Sequence, residues 1–335
     1  MSSKICLTGI KPTGMPHLGN YMGAIKPAID TANKGEFKGY YFIADYHSLI
    51  TIHDGNQLRS DIREVAAAWL ASGLDPKKVV LYKQSDIPEI LELNWILNCF
   101  TAKGLMNRAH AYKASVQSNT EAGRDEDQGV NLGLFTYPIL MAADILHINS
   151  DIVPVGEDQL QHIEIARDIA SSFNHSYKKD FFNLPKAIIA DGENKLLPGL
   201  DGRKMSKSYN NHIPLLLPEK KLQKTINKIV TDSTGPEEAK DPNDSLIFDM
   251  YKFFSSKEEQ NELAKRFRDG IGWGHAKAEL FNVVNREVAP IRAEYEKLLA
   301  DPGYIDSVLK DGADSVREIS SRKLLEIKKI IGVSS

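Results

Sequence analysis

From Ile5 to about Ile188 the chain repeats one alternation, a short apolar run followed by a stretch with helical spacing. After Leu217 the short runs stop and only helical spacing continues. Ile5-Cys6-Leu7-Thr8, Tyr40-Tyr41-Phe42-Ile43-Ala44 and Val79-Val80-Leu81-Tyr82 are apolar on both faces, as strands buried on both sides must be. Helical stretches from about Leu18 to Lys34 and from Arg59 to Ser72 separate them. Strands joined through helices must run parallel, with the helices covering the sheet. The expected fold is therefore α/β, a Rossmann-like doubly wound parallel sheet over residues 1–208. Residues 88–115 read as helix inside a helical insertion of about 88–130, and polar Ser115–Gln128 reads as a mobile loop. Helices are expected again over Tyr137–Leu146 and Glu157–Phe173, then a last strand at Ile188-Ile189-Ala190. Leu280, Val283, Val284, Val288, Ile291, Tyr295 and Leu298 recur every three or four residues, which predicts one long amphipathic helix. Residues 209–335 thus form an all-helical domain. Its terminal helix, carrying Val316, Ile319, Leu324, Ile327 and Ile330, is free to pack back on the sheet domain.

Composition narrows the class. The chain has 335 residues, 42% of them apolar and 26% charged, an ordinary soluble balance with room for two domains. No apolar run approaches the roughly 20 residues of a membrane span. Met1-Ser2-Ser3-Lys4 lacks the layout of a signal peptide, so a cytoplasmic protein without a membrane partner is expected. Cys6 and Cys99 lie in apolar contexts and read as two buried thiols, with no structural metal. A net charge of −3 neither selects nor excludes a nucleic acid, because local basic patches decide that.

Two motifs carry chemistry. The first runs from Thr8 to Tyr21, just after the first strand, and includes Lys11-Pro12-Thr13-Gly14 and His17-Leu18-Gly19-Asn20. A helix N-terminus there offers free N–H groups and positive dipole to a triphosphate. Gly14 and Gly19 admit close approach of the backbone, and His17 and Asn20 share one face of the first turn. The bland reading is a glycine-rich turn with a capping histidine. The second motif is Gly202-Arg203-Lys204-Met205-Ser206-Lys207-Ser208. Such a loop can fold over a triphosphate and set two ammonium groups on the charge that develops as pyrophosphate leaves. Lysine pairs on loops are usually only solvated charge, but this string is long and specific.

Together the motifs resemble the two signatures of class I aminoacyl-tRNA synthetases. His17–Asn20 is similar to the family's His-Ile-Gly-His element with Asn in the last place, and Lys204–Ser208 is its Lys-Met-Ser-Lys-Ser element unchanged. Leu140–Leu146, Val153–Gln159, Asn20–Ala24 and Gly312-Ala313 are similar to segments of bacterial tryptophanyl-tRNA synthetases, so the resemblance spans nearly the whole chain. It implies catalysis by His17, Asn20, Lys204 and Lys207, with ATP held by Lys11, Pro12, Thr13, Gly19, Asn20 and Lys204–Ser208 (Met205, Ser206, Lys207). It also implies that Gly156, Glu157 and Asp158 hold the adenosine, chiefly its ribose, and that Tyr137 and Gln159 hold an α-ammonium.

The residues themselves fit tryptophan. Met141 and Asp144 are three apart on one helix and face one way. A carboxylate there accepts an indole N–H while the thioether packs on the ring. Val153 and Val155 alternate on an extended segment and so line one side of a slot. His47 follows the second strand at the edge where ligands of such sheets bind. A surface or capping Asp and a structural His are the plain alternatives. Two positions depart from the family pattern: Lys11 replaces a frequent Gln, and Ser115 stands where many members carry a Lys. Lys113, Lys204 and Lys207 are then the phosphate cations. The expected reaction joins tryptophan to tRNA(Trp) through an adenylate, with ATP as substrate and Mg²⁺ bound to it. The helical domain would meet the anticodon, with Lys220, Lys221, Lys224, Lys228, Arg266, Arg268, Arg286 and Arg292 as candidate phosphate contacts, although each alone is more simply a solvated charge. The resemblance further implies a homodimer through residues 88–112, where Leu91, Trp95, Ile96, Leu97 and Phe100 are equally compatible with core. Competing readings are a tyrosyl-tRNA synthetase, a nucleotidylyltransferase and a non-catalytic paralogue.

Overall fold

A computed structural model of the chain describes residues 4–189 and 196–334. Five parallel strands form one sheet in the order β3-β2-β1-β4-β5: β1 (Ile5–Ile10), β2 (Lys38–Ile43), β3 (Val79–Lys83), β4 (Ile152–Pro154) and β5 (Lys186–Ile188). β2 and the edge strand β3 are largely buried on both faces, which is why Tyr40–Ile43 and Val79–Tyr82 run without a polar break. β5 ends at Ile188, so the expected strand at Ile188-Ile189-Ala190 begins earlier, and Ala190 lies outside the described residues.

The helices of the sheet half are α1 (Leu18–Asn20), α2 (Lys26–Lys34), α3 (Asp45–Ser48), α4 (Gly55–Ala71), α5 (Pro88–Asn98), α6 (Lys103–Met106), α7 (His110–Glu121), α8 (Leu132–Leu146) and α9 (Leu160–Tyr177). A π-helical turn, Tyr21–Ile25, joins α1 to α2. α7 occupies much of the polar stretch read as a loop; packing of Tyr112 edge-on against Phe135 of α8 supplies the burial that its composition lacks. α8 begins earlier than its apolar pattern suggests, because Asn131 caps it by accepting from Leu134 N at 2.8 Å. The second cysteine reading is also corrected. Cys6 is buried in β1, but Cys99 at the end of α5 is exposed.

The remaining helices are α10 (Glu219–Ile226), α11 (Leu246–Tyr251), α12 (Lys257–Asp269), α13 (Trp273–Ala300) and α14 (Pro302–Ile330). They share one continuous apolar core with the sheet half, in which Leu18, Tyr21 and Trp69 meet Leu280, Val284 and Ile305. α13 lies along α4, and α14 covers β3 and α5. Gly312 makes that second contact possible: a Cβ there would lie 1.9 Å from Leu81 O, so the helix rests directly on the strand backbone. No described helix is long and apolar enough to cross a membrane.

Candidate active site

The order of the strands reverses between β1 and β4, and ligands of such sheets bind at the carboxyl ends beside that reversal. Lys11-Pro12-Thr13 leaves β1 there, Gly156–Gln159 leaves β4, and His47 follows β2. Pro12 is buried, with its carbonyl accepting from Ser48 Oγ at 3.4 Å, while Lys11 and Thr13 are exposed. Thus three separated segments meet along one edge because β1 is flanked on both sides.

His17 caps α1. Its Nδ1 accepts from Asn20 N at 3.1 Å, and Asn20 Oδ1 accepts from His17 N at 3.1 Å. This reciprocal box fixes both side chains at the helix start. Burial, then the charges of His212 and Lys207, push the His17 imidazole down to about 4. It is neutral near pH 7 and presents hydrogen-bonding groups rather than charge.

The second motif lies directly against the first. Gly19 N donates to Met205 Sδ at 3.3 Å, and a Cβ on Gly19 would come within 3.3 Å of Met205 Cβ. Met205 is the buried anchor of the loop, and Lys204 and Lys207 lie on either side of it. Both lysines are exposed, and Lys207 Nζ donates to Thr13 O at 2.6 Å. Ser206 Oγ and Ser208 Oγ are 2.8 Å apart. The loop is held from below by Asn211, a buried residue that sequence reading passed over. Its Oδ1 accepts from Ser206 N at 2.8 Å, and its Nδ2 donates to Asp201 Oδ1 at 2.7 Å and to Lys204 O at 3.1 Å. Backbone bonds from Leu18 N to Ile213 O and from Leu215 N to Pro16 O tie the loop's far end to the start of α1.

The third group is on α8. Tyr137, Met141 and Asp144 stand at i, i+4 and i+7, one face of the helix. Asp144 is fully buried; its Oδ2 lies 2.8 Å from His47 Nε2, and its Oδ1 accepts from Gln84 Nε2 at 2.7 Å. Burial pushes the Asp144 carboxyl up, and its contacts with His47 and Gln84 oppose that shift. Gln84 Oε1 accepts from Tyr46 N at 3.1 Å, which fixes the amide so that its NH₂ faces Asp144. The His47 ring also meets Tyr137 edge-on, with centroids 6.3 Å apart, and Tyr137 Oη lies 2.7 Å from His162 Nε2. Val153 is buried on β4, and Val155, two residues on, is partly buried with its N–H bonded to Ile188 O. Gly156 and Glu157 are exposed and Gln159 is half-buried; the Asp158 side chain lies outside the described residues. Lys113 is exposed on α7. Gln84, Asn211, His162 and His212 were not singled out from sequence. Gln84 had a usable signal, since it follows β3 as His47 follows β2.

His17, the neutral N-cap of α1, and the lysine loop folded onto it form one cluster, and the buried acid of α8 meets His47 and Gln84, which follow β2 and β3. The family model for class I tRNA synthetases (W and Y) matches residues 2–289, and the chain belongs to that family. It is 51% identical to the tryptophan–tRNA ligase of Neisseria meningitidis serogroup A over 334 residues, 99% of each chain. It is 51% identical to that of Xanthomonas campestris over 328 residues, 98% of this chain and 76% of the relative. The crystal structure of tryptophanyl-tRNA synthetase from Campylobacter jejuni complexed with ADP and tryptophan matches with a TM-score of 0.90 at 42% identity, covering 98% of this chain and 99% of that one. The tyrosyl-tRNA synthetase of Aeropyrum pernix matches with a TM-score of 0.65 at 18% identity over 92% and 90% of the two chains, a likeness of fold.

Proposed function

We propose that this chain is a tryptophan–tRNA ligase. It activates L-tryptophan with ATP and transfers the aminoacyl group to the 3′ end of tRNA(Trp). The observation that carries the choice of amino acid is Asp144, a fully buried carboxylate on the same helical face as Met141 and Tyr137. An indole N–H only donates, and a carboxylate is its natural acceptor. A tyrosine site must also satisfy the acceptor side of a phenol, and the two side chains that touch Asp144 are already engaged with it.

In this reading the tryptophan carboxylate attacks the α-phosphorus of ATP, and the bond from that phosphorus to the pyrophosphate oxygen breaks. His17 and Asn20 at the α1 start, with Lys204 and Lys207, stabilise the leaving charge. The ribose hydroxyl of the tRNA end then attacks the acyl carbonyl, and AMP leaves. Met141, Val153, Val155 and His47 shape the indole slot, and Tyr137 and Gln159 bind the ammonium. Lys11, Pro12, Thr13, Gly19, Met205, Ser206 and Ser208 line the phosphate seat, and Gly156, Glu157 and Asp158 the ribose. Mg²⁺ enters on the ATP oxygens.

Residues 1–208 act as the catalytic domain and 209–335 as the anticodon-binding domain. Lys220, Lys221, Lys224 and Lys228 are exposed on and just after α10 and suit tRNA phosphates. Arg266 and Arg286 are already paired with Glu279 and Glu259. Leu91 and Trp95 are exposed on α5, with Trp95 at 72%, and suit the seam of a homodimer; Ile96 and Leu97 are core. The protein works in the cytoplasm, where its substrates are. ATP–pyrophosphate exchange assayed across the common amino acids tests the reading. Exchange with tryptophan alone is expected, and stronger exchange with tyrosine would overturn the specificity while leaving the family intact.

A further inference from the structure

Asp61 belongs to neither ATP motif. It lies on α4, is only 3% exposed, and sits beneath the Gly14 turn. Gly14 has φ +77°, a left-handed conformation suited to glycine, and the missing side chain leaves a gap that two charged groups approach. A Cβ at Gly14 would lie 3.3 Å from Asp61 Oδ1 and 3.7 Å from Lys207 Nζ, so carboxylate and ammonium are at most about 7 Å apart. Asp61 Oδ1 accepts from Gln57 Nε2 at 2.7 Å, which fixes its position without cancelling its charge. Lys207 Nζ meanwhile rests on Thr13 O at 2.6 Å, a neutral acceptor on the wall of the phosphate seat. Burial lowers the Lys207 pKa, while Asp61 and then Glu64, one turn along α4, favour its charged form. A buried negative charge beneath the seat of a polyanion opposes that ligand either directly or through the lysine that meets it.

We propose that Asp61 is a positioning residue for Lys207: its buried carboxylate holds the lysine against the Thr13–Gly14 turn until ATP arrives, and the triphosphate must draw the ammonium away from that standing counter-charge. The inference rests on the reading of Lys207 as a phosphate cation. The resting loop is thereby kept in one place, at a cost in ATP affinity. Unit charges at such a separation, partly screened and with Glu64 still present, correspond to about a three- to tenfold change in binding.

The test is calorimetric titration of ATP, and separately of AMP, without amino acid. The proteins are wild type, Asp61→Asn, Lys207→Ala and the double variant. Asn keeps the shape of Asp and an oxygen for Gln57. Asp61→Asn should tighten ATP about three- to tenfold and shift AMP, which lacks the β- and γ-phosphates, less than about twofold. In the Lys207→Ala background the gain should vanish. Unchanged or weaker ATP binding in Asp61→Asn overturns the proposal, as does an equal gain in both backgrounds, which would mean that Asp61 acts on ATP directly. If Asp61→Asn does not fold, Glu64→Gln is titrated instead: a smaller gain of the same sign supports the proposal, and none overturns it. The ligase reading fails separately, by blank pyrophosphate exchange across the amino acids.

Discussion

Asp144 and His47 meet 2.8 Å apart although 97 residues separate them, and Gln84 closes the second carboxylate oxygen at 2.7 Å. The acid is therefore held by groups that follow two strands, and their contacts oppose the rise that burial imposes on its carboxyl. An Asn in its place keeps the shape but must turn an NH₂ towards one of two groups that now face an acceptor. Asp144→Asn should weaken tryptophan binding roughly ten- to hundredfold, the scale of one charge-assisted buried hydrogen bond. ATP binding should hardly move. The sharper comparison uses an analogue whose indole nitrogen is carbon or sulfur, titrated against wild type and Asp144→Ala. Wild type should reject the analogue, and Asp144→Ala should discriminate far less. Equal preference for tryptophan in both proteins would show that Asp144 does not read the nitrogen.

Asn211 makes three hydrogen bonds from a buried amide, to Ser206 N, Asp201 Oδ1 and Lys204 O. Asn211→Ala should cost about 1–3 kcal/mol in chemical denaturation, since several buried partners lose their bonds. It should also slow adenylate formation by on the order of tenfold, because the lysines lose their support. Asn211→Asp should not rescue the rate: it can still accept from Ser206 N but can no longer donate to Asp201 and Lys204. A wild-type single-turnover rate in either variant would remove Asn211 from the loop's support.

The contrast between Lys204–Ser208 and Asn211 marks what a sequence discloses. The lysine loop and the His17–Asn20 turn are contiguous strings, and their chemistry is visible from spacing alone. The strands were legible because burial on both faces leaves Tyr40–Ile43 and Val79–Tyr82 without interruption by polar residues. Gln84 meets Asp144 60 residues further on, Asp61 faces Lys207 across the gap at Gly14, and Asn211 bonds back to Ser206, Lys204 and Asp201 only because the loop turns over it; no local pattern encodes such meetings. Cys99 failed for a related reason. Its apolar neighbours Ile96 and Leu97 face the core, while Trp95 and Cys99, one turn apart, face outward.

Gly312 sets how closely α14 approaches β3, since a Cβ there would lie 1.9 Å from Leu81 O. The neighbour is backbone in a sheet and cannot step aside without breaking strand pairing. Gly312→Ala should therefore destabilise by about 3 kcal/mol in urea unfolding, despite the better helix propensity of Ala. Gly274, near the start of α13, has nothing within 4 Å of the same atom, so Gly274→Ala should be neutral or slightly stabilising. Equal effects at the two sites would contradict the direct seating of α14 on the strand.

His147 joins α8 to α14 and gives the fold a pH dependence that one variant can isolate. It is 2% exposed, with Nδ1 2.7 Å from Ser320 Oγ and Nε2 3.4 Å from Tyr82 Oη. Ser320 Oγ already donates to Val316 O at 3.0 Å, so His147 Nδ1 carries the hydrogen and Nε2 accepts. A second proton would have to enter on Nε2, inside the core and against Tyr82. Burial first, and then the charge of Lys323, push the imidazole down to about 3 from its ordinary 6.5. Because the folded pKa lies below the unfolded one, the unfolded chain takes up the proton first as pH falls. The stabilisation is complete above about pH 6.5 and is lost progressively between there and about pH 3. Between pH 7 and pH 5 the loss should be about 2 kcal/mol. His147→Gln cannot titrate, so its stability should fall less over that interval by about this amount, whatever its stability at pH 7. His17, also held neutral, and the buried acids contribute equally to both proteins and cancel in the difference. Parallel stability curves for wild type and His147→Gln from pH 7 to pH 5 would mean that the imidazole takes its proton in the folded core as readily as in the unfolded chain.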